Sequence, residues 1–374
     1  MSAVLEQVAG QTAAMTFLRG AAERPHHAYV LAGPEGSGKS IAARAFVASL
    51  LCHEGGCGVC RDCSLALRDQ HPNQFVVEPE GRDIHIDTIR EEIWQPAYRT
   101  PPEPGRKVFV VREADRLSPA AADTLLKVLE EPPQDTVLLL LSARAHELPE
   151  TILSRCHVVT FAALPEAFVI AQLEGEGVDP SRALLAARLS GGNVGRARRM
   201  ATDGDGLAFR EVAASALRSA AAGPADALDA AAEVLAAATA YKKGLKSDLD
   251  AELAPFLDDR GRPEDVYRGT IRRIETRFAR RERRAERDFI DRVLLAASSL
   301  LRDRIVAGVQ GGPELRLNVD SEPTVDDVPV VALASSLAAC EEGRAALAED
   351  MNRNARLVLE HAFLLISSAS ATVA

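Results

Sequence analysis

GPEGSGKS, residues 33–40, lies between the apolar run His27–Ala32 and a stretch with helical apolar spacing, Ser40–Cys52. A Gly-x-x-x-x-Gly-Lys-Ser loop between a strand and a helix binds phosphate, because its glycines turn backbone N–H groups inward and the helix N-terminus adds its dipole. The predicted nucleotide-binding residues of the loop are Gly33, Pro34, Glu35, Gly36, Ser37, Gly38, Lys39 and Ser40. The lysine would contact the outer phosphates, and the serine hydroxyl would coordinate Mg²⁺. The pattern predicts binding of ATP or ADP with Mg²⁺, the alternative being an empty loop that keeps its shape.

The composition sets the broad class of the protein. The chain has 374 residues, 47% of them hydrophobic and 26% charged, which indicates a water-soluble, largely helical protein of two or three domains. A net charge of -10 argues against coating nucleic acid by bulk electrostatics, so that contact with DNA should be local. No apolar run has the roughly 18 residues of a membrane span, and residues 1–24 lack the pattern of a signal peptide. We therefore expect a cytoplasmic protein without a membrane contact.

Three further apolar runs predict the remaining strands of the first domain: Gln74–Glu78, Lys107–Val111 and Thr136–Leu141. They alternate with helical patterns, of which residues 118–131 start at an N-cap serine and stop at a Pro-Pro pair. Alternating strands and helices predict an α/β fold, a doubly wound parallel sheet with helices on both faces.

The rest of the chain predicts two helical domains. Residues 164–206 read as a small helical lid, with breakers at Asp179-Pro180 and Gly191-Gly192. Residues 207–374 read as an all-helical domain with loops near 258–263 and 308–313, and residues 1–163 form the nucleotide-binding core. Within the last domain, the basic stretch 272–287 is either a solvated helix with ion pairs four residues apart or a patch that faces protein or DNA.

The strand 107–111 is followed by Arg112 and Glu113, and the identity of these two residues affects whether the protein can hydrolyse a bound nucleotide. Phosphoryl transfer needs an acid at the end of a neighbouring strand to hold the metal. Arg112 stands where that acid is needed, and a guanidinium cannot bind a cation. Without a bound metal, Glu113 could still orient a water molecule but would be a vestigial catalytic residue. Asp115 is the other acid that could hold the metal. We therefore expect nucleotide binding with weak or absent hydrolysis, and on this interpretation Arg112→Asp would raise the ATPase rate.

Four cysteines lie close together, at Cys52, Cys57, Cys60 and Cys63. In a reducing compartment such a cluster indicates a metal site rather than disulfide bonds. The two Cys-x₂-Cys spacings let the thiolates reach one ion. We predict a closed, structural Zn²⁺ site in a module inserted at residues 52–63. Cys52 is the least certain ligand, with His53 as a substitute, and unligated or redox-active thiols are the alternative.

Together with LLKVLEEPP at 125–133 and ILSRC at 152–156, these motifs resemble the AAA+ subunits of the bacterial DNA polymerase III clamp loader over residues 1–200. The resemblance implies an AAA+ RecA-like core, a helical lid and an all-helical collar that mediates oligomerisation. The tau/gamma motor subunits have Asp-Glu after the strand, so that Arg112-Glu113 looks like the delta-prime type, whose nucleotide site is often degraded.

The resemblance also implies site residues. Arg155 of the Ser-Arg-Cys motif would act in trans as an arginine finger on the ATP bound by a neighbouring subunit. Arg196 would be the lid arginine that senses nucleotide, and Val8 and Gln11 lie where the family closes its adenine pocket.

The partners implied by the resemblance are tau/gamma subunits, the delta subunit and, through the assembled hetero-oligomer, the sliding clamp and primed DNA. The chain would be a stator of that complex. The alternative is an active AAA+ ATPase, either a motor subunit of the tau/gamma type or a helicase loader.

Overall fold

The computed structural model describes residues 2–79, 83–202, 205–254, 268–323, 328–349 and 354–371. The Cα atoms of the chain group into two compact units, Met1–Arg198 and Arg199–Ala374. The predicted loop at 258–263 lies outside the described residues.

The first unit is built on a five-stranded parallel sheet with the strand order β2-β3-β4-β1-β5. The strands are β1 (Ala28–Ala32), β2 (Gln74–Val77), β3 (Lys107–Val111), β4 (Thr136–Ser142) and β5 (His157–Thr160). Every residue of β1, β3 and β4 is buried, which is why these strands are continuous apolar runs rather than alternating ones. The four predicted strands are confirmed to within one residue at each end.

Helices of the first unit cover both faces of this sheet and continue beyond it. They are α1 (Ala3–Glu6), α2 (Thr12–Glu23), α3 (Lys39–Leu51), α4 (Arg61–Leu67), α5 (Ile86–Ile89), α6 (Gln95–Ala97), α7 (Pro119–Glu130), α8 (Glu150–Leu153), α9 (Glu166–Gly175), α10 (Pro180–Ser190) and α11 (Val194–Thr202), the last of which crosses the boundary between the units. A π-helical turn, Arg90–Trp94, joins α5 to α6, and single 3₁₀ turns lie at Ala114–Arg116 and Ala145–Glu147.

Alternate strand residues form two separate cores. On one face, Leu31 and Leu139 pack with residues of α2, α3 and α4. On the other face, Val30 and Leu138 pack with residues of α5 and α7. This side-chain alternation confirms the predicted α/β layers, with the phosphate loop leading from β1, an interior strand, directly into α3.

The predicted helix ends at Ser118, Asp179 and Gly191 are confirmed. The Ser118 hydroxyl accepts a hydrogen bond from the N–H of Ala121 and caps α7, as predicted. The Asp179 carboxylate caps α10 by accepting from the N–H groups of Ser181 and Arg182. Gly191 ends α10 in the left-handed region, at φ 60°. Short helices therefore fill the predicted lid segment, whose standing as a separate domain stays a prediction.

The described residues of the second unit are mainly helical. Its helices are α12 (Asp205–Ala222), α13 (Pro224–Leu253), α14 (Arg268–Gly308), α15 (Val330–Glu349) and α16 (Ala355–Ala371), with a 3₁₀ turn at Pro313–Leu315. Phe209, Tyr241 and Phe289 form an aromatic cluster in its core, with ring centroids 4.9–6.1 Å apart. These observations confirm the predicted parallel α/β core followed by a mainly helical region.

The basic stretch 272–287 is part of α14. The Glu286 carboxylate in this stretch lies 3.6 Å from Nζ of Lys242 on α13. This contact joins two helices and is not one of the predicted pairs four residues apart, so that both interpretations of the stretch remain predictions. Among the described helices, none is long and apolar enough to cross a membrane.

Candidate functional site

The phosphate loop turns tightly between β1 and α3. Gly36 and Gly38 have φ angles of 75° and 92°, in the left-handed region that favours glycine. A Cβ atom on Gly36 would lie 1.9 Å from Cγ of Asn193. Asn193 in turn accepts a hydrogen bond from the N–H of Arg196 at 2.9 Å and so caps α11. The structure therefore brings the phosphate loop next to the helix that carries the predicted sensor Arg196.

Lys39, the first residue of α3, turns its side chain back into the loop. Its Nζ donates to the carbonyl oxygens of Gly33 at 2.5 Å and Pro34 at 2.7 Å, and only 9% of the residue is exposed. Burial lowers the pKa of Lys39, an effect that the Glu35 and Asp115 carboxylates oppose. The ammonium group is thus held at the centre of the loop, where outer phosphates are predicted to bind.

Gln11 fixes the other side of the loop. Its amide nitrogen donates to the carbonyl oxygens of Ser37 at 2.9 Å and Ala162 at 2.7 Å, and its amide oxygen accepts from the N–H of Ala162 at 3.2 Å. The side chain therefore ties the phosphate loop to the segment that leaves β5. It acts as a structural clamp in this conformation, and the adenine-pocket role of Val8 and Gln11 stays a prediction.

Arg112 follows β3 and belongs to an ion-pair network. Its guanidinium donates to Asp69 at 2.6 Å and to Glu78, and Asp69 also accepts from Arg44 at 2.7 Å. Burial lowers the pKa of Arg112, but the two carboxylates outweigh burial and raise it overall. Sequence reasoning treated Arg112 only as a missing acid, whereas the structure gives it a stabilising role that joins α3, β2 and β3.

The two acids after Arg112 lie in different surroundings. Glu113 has a φ of 49°, is 42% exposed in its side chain and pairs with Arg116 at 3.0 Å. The Asp115 side chain is only 6% exposed; its carboxylate accepts from the Ser142 hydroxyl at 2.9 Å and from Arg144 at 3.2 Å. Because the carbonyl oxygen of Ser142 also accepts from the N–H of Gly33 at 3.2 Å, Asp115 is the acid connected to the phosphate loop.

Sequence reasoning missed Ser142, which is fully buried at the end of β4. A serine directly after a run of leucines was the available signal, because a buried hydroxyl needs a hydrogen-bond partner. The short strand β5 was missed as well. Its burial pattern leaves three of its four residues outside the core, so that no apolar run marks it in the sequence.

The four clustered cysteines meet at one point beside α3 and α4. Their sulfur atoms lie 3.6 Å (Cys52–Cys60), 3.8 Å (Cys52–Cys57) and 4.0 Å (Cys57–Cys63) apart. Four thiolates around a tetrahedral ion with metal–sulfur bonds of about 2.3 Å would be separated by about 3.8 Å. The cluster could therefore bind a metal ion, and Cys52 belongs to it while His53 is exposed.

Backbone donors favour the thiolate form of Cys52. Burial would raise the pKa of Cys52, but N–H groups of Cys57, Gly56 and Glu54 lower it to about 6. Burial raises the pKa of Cys63, and for Cys60 the lowering by the N–H of Cys63 is outweighed by burial and the neighbouring thiols, which raise its pKa overall. The N–H of Gly58 also donates to the sulfur of Cys63 at 3.3 Å. These donors stabilise negative sulfur, which is the form that binds metal.

A second group of possible ligands, Asp62, His71 and Glu103, lies nearby and is already paired within the protein. Glu103 accepts two hydrogen bonds from Arg61, at 2.9 and 3.2 Å. The N–H of Asn73 donates to Nδ1 of His71, so that the neutral ring carries its proton on Nε2, which faces Asp62 at 3.7 Å. These contacts indicate a hydrogen-bonded cluster.

Arg155 lies at the amino ends of the parallel strands, whereas the phosphate loop lies at their carboxyl ends. Strands β1 and β5 are parallel, with Tyr29 opposite His157, so that Arg155 is placed before both strands while Gly33 follows β1. The five residues of β1 separate the two places by about 16 Å at about 3.3 Å per residue. Arg155 therefore cannot serve its own phosphate loop in this fold.

Contacts from two elements hold the Arg155 guanidinium. Nη1 donates to the carbonyl oxygen of Thr151 at 2.8 Å and to the Ser154 hydroxyl at 3.3 Å, while Nη2 donates to Glu130 at 2.9 Å. The side chain is 37% exposed and lines a cleft of about 450 Å³. The cleft is lined by His26, His27, Leu129, Glu130, Ser154, Arg155, Cys156 and His157.

The parallel sheet, the glycine-rich loop that leads from β1 into α3 and the helices on both faces define an α/β protein with a phosphate-loop geometry. Residues 10–165 match the family described as DNA polymerase III, delta subunit. The delta' subunit of DNA polymerase III from Pseudomonas aeruginosa is 40% identical over 46% of this chain and 55% of its own length. The delta' subunit from Bacillus subtilis is 34% identical over 45% of this chain and 52% of its own length.

Two further proteins are similar in part. The gamma/tau subunit from Mycobacterium bovis is 33% identical over 46% of this chain and 32% of its own length. A solved structure of a gamma subunit-related protein from Thermotoga maritima has a TM-score of 0.43 and 17% identity over 95% of this chain and 99% of that one. The chain spans just over half the length of the two delta' relatives described above. The predicted resemblance to delta-prime, related to tau/gamma, is confirmed over this part of the chain.

The Arg112 network changes what we expect from Arg112→Asp. The new carboxylate would face Asp69 and Glu78 without any guanidinium between them, so we predict a loss of about 2–3 kcal/mol in the free energy of unfolding. The ATPase rate should stay at the wild-type level, contrary to the gain expected from the sequence. Thermal unfolding and steady-state ATP hydrolysis of the purified chain measure both effects.

Arg99→Asp, at an exposed arginine outside the network, is the matched control and should unfold at the wild-type temperature. A variant Arg112→Asp that is as stable as wild type and hydrolyses ATP faster would show that Arg112 only replaces a metal ligand.

Proposed function

We propose that the chain is a delta-prime type subunit of a bacterial DNA polymerase III clamp loader. In this role it is a stator that helps tau/gamma and delta subunits load the sliding clamp onto primed DNA in the cytoplasm. The similarity of its first half to delta' subunits supports the proposal. The second unit would be the collar that binds the other subunits.

The position of Arg155 carries the proposal. Arg155 lies about one strand length from its own phosphate loop and is half-exposed beside a cleft. It is therefore available to a nucleotide held by another subunit. An arginine finger supplied in trans stabilises the negative charge that spreads over the transferring phosphoryl group. The chain would thereby complete the active site of a neighbour.

The chain's own loop would bind nucleotide without efficient turnover. Lys39 lies at the centre of the loop, and Gly36 and Gly38 give it the left-handed conformations that it needs. The acid nearest to the loop, Asp115, is already paired with Ser142 and Arg144, and Arg112 replaces the acid that would follow β3. Losing about 4 kcal/mol of metal stabilisation slows turnover by about three orders of magnitude.

We predict that the isolated chain binds ATP or ADP and hydrolyses ATP negligibly in the presence of Mg²⁺. Lys39→Ala should weaken binding at least about tenfold, because it removes the cation that faces the phosphates. Lys127→Ala, at an exposed lysine of α7, is the matched control. Fluorescent-nucleotide titration and phosphate release measure the two properties, and rapid turnover by the chain alone would instead support an active AAA+ motor.

We predict that Arg155→Ala lowers the ATPase rate of the reconstituted complex, with clamp and primed DNA, by about 100-fold or more at the sites that it completes. The isolated variant should fold normally, because half-exposed ion pairs contribute little stability. Arg182→Ala, at an exposed arginine of α10, is the control. A complex that assembles with Arg155→Ala and hydrolyses ATP at the normal rate would rule out the finger.

We further propose that the metal bound by the cysteine cluster is zinc. The four soft ligands and the sulfur separations suit a closed tetrahedral site, which gives zinc a structural role in stapling the loop between α3 and α4. Such a site leaves no open position for substrate.

Elemental analysis should find about one zinc per wild-type chain, and Cys60→Ser or Cys63→Ser should remove it. Chelation should lower the unfolding temperature of the wild-type chain, because binding free energy contributes to folding. Cys156→Ser, which changes a thiol outside the cluster, should keep the metal. Unchanged metal content in both cluster variants, or a different metal in the wild type, would contradict the assignment.

A further inference from the structure

We infer that Glu130 is the positioning residue that orients Arg155 toward the neighbouring nucleotide. This inference rests on the proposed function, since it assigns a role to a second residue of the same finger. Glu130 is the last residue of α7, and its carboxylate accepts from Nη2 of Arg155 at 2.9 Å.

The guanidinium is held from one side only. Nη1 donates to Thr151 and Ser154, at the end of α8, and one Nη2–H donates to Glu130. Among the residues that the structure describes, no partner contacts Nε–H or the second Nη2–H. Nε–H lies beside Nη2 on one edge of the planar fork, and arginine can bind two oxygens of a phosphate through this edge.

Glu130 fixes the orientation of the guanidinium. The Thr151 carbonyl and the Ser154 hydroxyl contact Nη1 alone, about which the side chain could still rotate. The carboxylate, supplied by a different helix, adds a contact on the second nitrogen and so fixes the plane of the guanidinium. A fork that is oriented before it binds loses less conformational entropy when the phosphate arrives.

The pair is open to solvent on the side of the cleft. The Glu130 side chain is 51% exposed and the Arg155 side chain 37%, and both line the cleft of about 450 Å³. The exposure of the pair weakens the attraction between its charges, so that Arg155 remains able to bind a phosphate as well. The ligand class that fits the free edge is a nucleotide triphosphate bound by another subunit.

The test compares kcat and KM for ATP in the full complex with clamp and primed DNA. Glu130→Ala should lower kcat about tenfold and leave KM within about twofold, because a misoriented finger chiefly loses contacts with the transition state. Glu130→Gln, which keeps a neutral acceptor, should retain more activity than Glu130→Ala. Glu131→Ala, at the exposed neighbouring carboxylate, is the matched control and should behave as wild type.

The double variant with Arg155→Ala separates positioning from a structural role. If Glu130 acts only through the finger, Glu130→Ala adds no further loss when Arg155 is already alanine. A further loss in that background, or a wild-type kcat for Glu130→Ala when Arg155→Ala is inactive, would overturn the inference. A wild-type rate for Arg155→Ala itself would overturn the proposed function instead, so the two failures are distinguishable.

Discussion

The parallel direction of the five strands is the constraint on which the sites of this protein depend. Parallel strands begin at one edge of a sheet and end at the other, so that loops before and after a strand are separated by the strand's length. The phosphate loop follows β1, and Arg155 precedes β5, which pairs with β1. Since β1 is fully buried and pairs with β5 along its length, the two sites are held about one strand length apart, a distance that no side chain can span.

Helix α7 links these two edges. It begins at Pro119, shortly after Asp115 at the phosphate-loop edge, and ends at Glu130 beside Arg155. Twelve residues of α-helix are about 18 Å long, which matches the separation that the strands impose. Because its buried face packs into one continuous core, the helix fixes the position of Glu130 relative to the sheet.

Much of this arrangement could be predicted from the sequence, because the relevant signals are local. Three features depend only on neighbouring residues: the phosphate loop, the cap at Ser118 and the spacing of the cysteines. Each lies in the structure at the residues that the sequence pattern predicts. The ion pair between Arg112 and Asp69 joins residues 43 positions apart, and no local pattern encodes it. The edge strand β5 was not predicted for a different reason. A strand with one buried residue has no run or alternation of apolar residues that would mark it in the sequence.

Arg112 and Arg155 show how surroundings decide what one residue type does. Arg112 is enclosed by two carboxylates, so that its charge is neutralised within the chain and stabilises the junction of three elements. Arg155 has a single carboxylate on one nitrogen and neutral oxygens on the other, which leaves a net donor edge facing a cleft. A guanidinium exchanges one set of oxygens for another most easily when its present partners are few and hydrated. The weakly held arginine is therefore the one suited to bind phosphate, and the strongly held one is suited to keep the chain's own site without a metal ligand.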